Sequence, residues 1–181
     1  MMKIPFFFFV FFLISLATPV KAAEVVWRGD DAIFLPEENI SLDRPDSRWR
    51  VVEEIFPDYL KLVRYQKGQN VEIVLKKHVF YKLPRVKFRR GNRVTFDQLF
   101  WKALLKSYEE NGFKFIQREF DEKHIAFALG TNAKRELLLL HFVFPKNRFS
   151  SQPVVVEMLV PREGYADLKQ DFLKVTESLK L

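Results

Sequence analysis

The chain has 181 residues and a formal net charge of +7, and 48 % of its residues are hydrophobic and 29 % charged. This length suits one domain, and this composition is typical of a folded globular protein rather than a disordered one. The chain contains 20 Phe and no Cys. The absence of Cys excludes structural disulfides, a thiol nucleophile, thiolate metal sites and a lipid-modified N-terminal Cys.

Residues 1–22 have the pattern of a secretory signal peptide. Lys3 precedes an apolar run over residues 4–20, and the sequence Val20-Lys21-Ala22 offers short side chains where a signal peptidase reads. We expect cleavage between Ala22 and Ala23, with export to a bacterial periplasm or beyond the cell. The alternative is an uncleaved membrane anchor, for which a run of this length is at the short limit.

Basic residues are concentrated in one segment of the chain. Loss of Lys3 and Lys21 with the leader lowers the net charge by two, to +5. Residues 76–93 hold eight Lys or Arg and no acid, so the rest of the mature chain carries −3. Alternation of Arg85, Lys87 and Arg89 with apolar residues fits either an edge strand guarded by charge or a surface for an anionic partner. The eight candidate binding residues are Lys76, Lys77, Lys82, Arg85, Lys87, Arg89, Arg90 and Arg93.

The mature chain is predicted to contain an extended lead-in over residues 23–38 and one domain over residues 39–181. Within the lead-in, a short edge strand is predicted over residues 25–27. Alternation of Val71, Ile73 and Leu75 with polar residues is typical of a half-buried strand. Strands are predicted over residues 39–43, 49–53, 59–65, 71–77, 113–120, 124–129, 136–144 and 153–160. The segment 136–144 is almost continuously apolar, which places it centrally with both faces covered.

Two amphipathic helices complete the domain. Thr95 and Gln98 can form a capping box, and Asn111-Gly112 can end the helix that they begin. Its predicted apolar face is Phe96, Leu99, Phe100, Ala103 and Leu104. A second helix is predicted over residues 165–179, with Leu168, Phe172, Val175 and Leu179 on one side. Short connections between the strands favour hairpins, so the fold class is α+β, a mainly antiparallel sheet covered by two helices.

This pattern resembles the PsbP-like α/β-sandwich family. The similarity covers residues 40–181 and rests on the opening strand Ile40-Ser41-Leu42 with Pro45 and Trp49, on the helix after Thr95, and on Gly164-Tyr165 before the last helix. The resemblance implies an α/β/α sandwich and a role in binding proteins or assisting assemblies. It assigns no metal, cofactor or partner residue, because no motif matches position by position.

The sequence offers little for catalysis. It has no G-x-S-x-G motif and no metal-ligand spacing, and we expect no enzyme activity, no cofactor and no metal. His78, His124 and His141 are interpreted as structural or solvated. His141 interrupts an apolar run, so it is either a core histidine, the favoured interpretation, or a residue that lines a pocket.

Three functions remain from the sequence, and the third of them is a hydrolase without a recognisable motif. The first is an exported accessory protein that binds a protein or an anionic envelope surface, with peripheral membrane contact, through its sheet and basic segment. The second is a carrier of a small apolar ligand held between sheet and helix, and a cavity of a few hundred Å³ would favour it. Nucleic acid is not expected as a partner, because the protein is exported and lacks an aromatic-basic motif.

Overall fold

A seven-stranded antiparallel sheet is the largest element of the computed structural model, which describes residues 25–36, 39–53, 59–77, 85, 95–121, 125–143 and 153–181. The predicted signal peptide and its cleavage site lie outside these residues. The strands of this sheet are β4 (Arg50–Glu53), β5 (Tyr59–Gln66), β6 (Gln69–Lys77), β7 (Lys114–Asp121), β8 (Ile125–Thr131), β9 (Glu136–Val143) and β10 (Val154–Pro161). They lie in the order β4-β5-β6-β10-β9-β8-β7, and all neighbours are antiparallel.

Helix α1 (Phe96–Glu110) covers one face of this sheet. The predicted capping box is confirmed, since the Thr95 side chain accepts from the Gln98 backbone and the Gln98 side chain accepts from the Thr95 backbone. Phe100 is fully buried and stacks on Phe142 of β9, with 4.9 Å between ring centroids. The predicted helix face is partly wrong, because Phe96 is 47 % exposed whereas Trp101 and Leu105 are buried. The buried face of α1 is therefore rotated by about one residue, so that Trp101 and Leu105 join Phe100 and Leu104.

Helix α2 (Tyr165–Ser178) and a small N-terminal sheet cover the other face. Strands β1 (Val26–Arg28), β2 (Ala32–Leu35) and β3 (Ile40–Asp43) form that sheet in this order. The expected lead-in is therefore more than an extension: its described part carries two strands, and Ile33 and Leu35 belong to the core. The backbones of Ser41 and Lys180 exchange two hydrogen bonds, which ties the end of the chain to β3.

Strand β9 is buried on both faces, as its apolar run predicts. Leu137 and Leu139 belong to the core beneath α2, while Leu138 and Leu140 belong to the core beneath α1. The predicted fold class is confirmed: an α+β structure with a mainly antiparallel sheet and a helix on each face. Among the described residues, no helix is long and apolar enough to cross a membrane.

Candidate functional site

A buried polar cluster fixes the position of α2 on the sheet. The Asp171 carboxylate of α2 accepts hydrogen bonds from Trp49 Nε1 at 3.0 Å and from Arg64 Nη1 at 2.7 Å. All three side chains are largely or fully removed from solvent. Because Arg64 lies on β5, this cluster holds α2 over the β5 side of the sheet.

At the β7–β8 edge of the same sheet face, α2 lies beside the strands and does not cover them fully. Pairing of Phe127 with His141 and of Leu129 with Leu139 places these side chains on one face of β8 and β9. Phe127 and Leu129 are only partly buried, whereas Leu139 is fully buried. A channel therefore follows α2 on its β7–β8 side.

The first cleft in this channel lies along the C-terminal half of α2 and has a volume of about 510 Å³. Its apolar wall consists of Phe127, Val143, Leu173 and Leu179, and its polar residues include His141. Two polar neighbours already have partners, because the Thr176 hydroxyl donates to the Leu173 carbonyl and Gln117 donates to Glu119. We call this space the His141 cleft; Lys169 and Glu177 complete its lining.

His141 lines the cleft wall, so the favoured interpretation as a core histidine is replaced by the alternative of a pocket residue. Burial lowers the pKa of His141 from 6.5 to about 4, because a charged imidazolium loses its hydration there. No hydrogen bond joins its ring to another described residue. At neutral pH the ring is therefore uncharged and presents an aromatic surface with two nitrogen atoms to the cleft.

A second cleft, of about 760 Å³, lies at the N-terminal end of α2. Leu129 lies two residues from Phe127 on the same strand face, and Tyr165 lies one helical turn before Lys169, whose Nζ is 5.9 Å from the Tyr165 ring centroid. We call this space the arginine cleft because two guanidinium groups line it. Its lining is Ile116, Leu129, Thr131, Asn132, Arg135, Leu137, Arg162 and Tyr165.

Three members of the predicted basic segment lie within the described residues. Lys76 forms an ion pair with Glu157 of β10, and the same carboxylate accepts from the Tyr108 hydroxyl of α1. Burial lowers the pKa of Lys77. Arg85 is exposed, and its carbonyl accepts from Lys106 Nζ at 3.2 Å. Lys82, Lys87, Arg89, Arg90 and Arg93 lie outside the described residues, as do His78 and His124.

The described acids do not gather into a metal site. Asp31 accepts from Arg44 in an ion pair of 2.8 Å, and Glu110 lies 3.6 Å from Lys106. Within the described parts of the chain, no group of three or more His, Asp or Glu is placed to hold a metal ion.

Sequence reasoning missed the two arginines. Arg135 lies in the turn between β8 and β9, and Arg162 lies in a short 3-10 helix before α2. Neither segment has a periodic sequence pattern, so nothing in the sequence indicates that the two residues lie close together. Arg135 has a φ of 63°, in the left-handed region that favours Gly and Asn. The backbone conformation is visible only in the structure.

Comparison with known proteins yields similarity to solved structures. Neither protein-family models nor curated proteins match the sequence. Among solved structures, the chain is similar to cyanobacterial PsbP (CyanoP) from Synechocystis sp. PCC 6803, a solution structure, with a TM-score of 0.48 and 12 % identity. The similarity covers 90 % of this chain and 95 % of that chain. At 12 % identity, this similarity says nothing about the function of the chain.

Proposed function

We propose that this protein is an exported, non-enzymatic binding protein that holds a small apolar ligand in the His141 cleft. The observation that supports this proposal is the cleft of about 510 Å³ between the sheet and α2. Ligand pockets typically measure about 300–1,000 Å³ and combine an apolar wall with few polar groups. Of the two binding functions expected from the sequence, this cleft favours the carrier.

The chemistry of the wall supports an uncharged ligand body at this position. Phe127, Val143 and Leu173 offer apolar contact, and a neutral His141 adds no charge that the ligand would have to desolvate. The hydroxyl of Thr176 is already committed to the Leu173 carbonyl. The apolar body of the ligand is therefore expected against Phe127, Val143 and Leu173, with the charged side chains of Lys169 and Glu177 beside it.

The same geometry gives little support to catalysis. His141 is the candidate base of this cleft, yet no Ser, Thr or Tyr hydroxyl of the described residues donates to its ring or accepts from it. A nucleophile and its base need such a contact. We therefore propose binding without chemical conversion.

A neutral fluorescent probe tests this proposal. N-phenyl-1-naphthylamine gains fluorescence in apolar sites, and we expect saturable binding to the wild-type protein. Val143→Trp fills the cleft and should weaken this binding about tenfold or more. Val52→Trp makes the same change at a valine of β4 that is 39 % exposed and distant from the cleft lining, so it should change the affinity less than twofold. Equal binding by all three proteins would contradict the proposal.

A second function, binding of an anionic envelope surface or an acidic protein, has its support in the local charge. Arg85 is exposed, and the segment around it contains no acid. Lys76 contributes less to such a surface, because Glu157 already neutralises its charge. The proposed site is accordingly narrower than the eight residues expected from the sequence, and it centres on residues 82–93.

A further inference from the structure

We propose that the ligand is a single-chain anionic amphiphile, whose anionic head binds Arg135 and Arg162 while its apolar chain runs along α2 into the His141 cleft. This inference rests on the proposed function and adds the chemical class of the ligand. The anionic head binds in the arginine cleft, which the carrier proposal does not use.

The two clefts follow one another along the same strand face and the same helix. Leu129 belongs to the arginine cleft and Phe127 to the His141 cleft, and both side chains point to the α2 side of β8. From Tyr165 to Ser178 the helix that forms the other wall rises about 20 Å. A chain that extends along this wall could therefore reach from one cleft to the other.

The charged residues differ between the arginine cleft and the His141 cleft. The lining of the arginine cleft contains Arg135 and Arg162 and, among the described residues, no carboxylate. The lining of the His141 cleft contains the carboxylates of Glu119 and Glu177 beside Lys169. Between the two linings, an anionic head is therefore attracted to Arg135 and Arg162 and is opposed by the two carboxylates of the His141 cleft.

Neither Arg135 nor Arg162 forms an ion pair with a described residue. The side chains of Arg135 and Arg162 form no hydrogen bond or ion pair with a described residue. The neighbouring carboxylate of Glu136 instead accepts from Asn132 Nδ2 at 2.7 Å. Both guanidinium groups consequently keep their donors for an anion or for water.

The turn that carries Arg135 is held without the Arg135 side chain. Its φ of 63° is unfavourable for a residue with a long side chain, and Asn or Gly would adopt it at lower cost. The Asn132 side chain builds the turn, with its Oδ1 accepting from the Lys134 and Glu136 backbones. Because Asn132 builds the turn, the turn does not require the Arg135 guanidinium, and this group stays available to a ligand.

The test compares two probes that differ by one sulfonate. N-phenyl-1-naphthylamine is neutral, and 8-anilinonaphthalene-1-sulfonate carries the same rings with one negative charge. In the double variant Arg135→Asn/Arg162→Gln, we expect the dissociation constant of the sulfonate probe to rise about tenfold and that of the neutral probe to change less than twofold. Lys134→Gln is the matched control, since it removes an exposed cation from the same turn, and it should change both constants less than twofold.

The outcomes separate this inference from the proposed function. Suppose that the neutral probe binds, and that the double variant either leaves the affinity for the sulfonate probe unchanged or weakens the binding of both probes equally. The proposed anionic head would then be wrong, and the carrier function would stand. Failure of both probes to bind the wild type contradicts the carrier and this inference together.

Two further measurements concern the source of the ligand and the role of Arg135. Laurate at monomer concentrations should displace the sulfonate probe; displacement by phosphatidylglycerol vesicles but not by laurate would overturn a free single-chain ligand. In urea unfolding, Arg135→Asn should be at least as stable as the wild type. A marked loss of stability would show that the guanidinium serves the fold and would overturn the binding role.

Discussion

The stability of the protein should depend on pH through His141. In the folded state burial lowers the pKa of its imidazole to about 4, whereas the unfolded value is 6.5. Between these two values the unfolded chain binds a proton that the folded protein does not, so the free energy of unfolding falls as the pH is lowered. At about 1.4 kcal/mol per pH unit, this loss amounts to about 3 kcal/mol, complete near pH 4 and absent above pH 6.5.

The substitution His141→Gln isolates this contribution, because glutamine keeps a polar side chain and does not titrate. Urea unfolding of both proteins from pH 4 to pH 7.5 gives the two stability curves, and their difference removes groups that titrate equally in both. We expect the wild type to lose about 3 kcal/mol more than the variant over this range. Curves that stay parallel from pH 7.5 to pH 4 would refute the buried, neutral state of His141 and with it the uncharged cleft wall.

The remaining predictions concern the fold, the basic segment and the leader. Asp171→Ala should lower the free energy of unfolding by about 3–5 kcal/mol, because Arg64 and Trp49 lose their buried acceptor; a loss under about 1 kcal/mol would contradict this anchoring of α2. Phe100→Ala should cost about 3–5 kcal/mol, and Phe96→Ala much less, since only Phe100 is fully buried; equal losses would mean that the helix face is wrong. Replacing Arg85, Lys87, Arg89 and Arg90 by Gln should change stability by no more than about 1 kcal/mol and reduce sedimentation with acidic vesicles at low salt, and salt-insensitive binding equal to the wild type would exclude an anionic-surface role. N-terminal sequencing of the exported protein should begin at or near Ala23, whereas an intact Met1 in the membrane fraction would indicate an anchor.

Much of the fold could be predicted because the responsible interactions are local. The capping box of Thr95 and Gln98 involves residues three positions apart, and the alternation along β6 reflects one strand with two different faces. The continuous apolar run of β9 predicts burial on both faces, since it leaves no polar face for solvent. Each of these signals can be read without knowledge of the partner element.

The prediction was least accurate where long-range packing decides. Residues 23–38 carry weak strand signals, and Ile33 enters the core only because β2 pairs between β1 and β3. Phe96 is as apolar as Phe100, yet the rotation of α1 against β9 exposes one and buries the other. Sequence spacing defines a helix face to within about one residue, and the packing partner selects the final orientation.

The candidate site was likewise predictable where a local signal marks a residue, and not where distant residues decide its surroundings. His141 could be recognised as unusual because it breaks an apolar run, but whether it faces a core or a cleft depends on where α2 lies. That position depends on Asp171 and Arg64, which are 107 residues apart in the sequence. Arg135 and Arg162 are likewise separated along the chain and meet only at the N-terminal end of α2.

Chemical-shift mapping of ligand contacts tests the central claim most directly. In a methyl-labelled sample titrated with N-phenyl-1-naphthylamine, the proposed carrier function predicts that the largest shift changes occur at Val143, Leu173 and Leu179, which line the His141 cleft. Methyl groups of Val74 and Leu105, which lie in other parts of the buried structure and outside both clefts, should change little. Shift changes confined to another surface, or none at saturating probe, would contradict a ligand site between the sheet and α2.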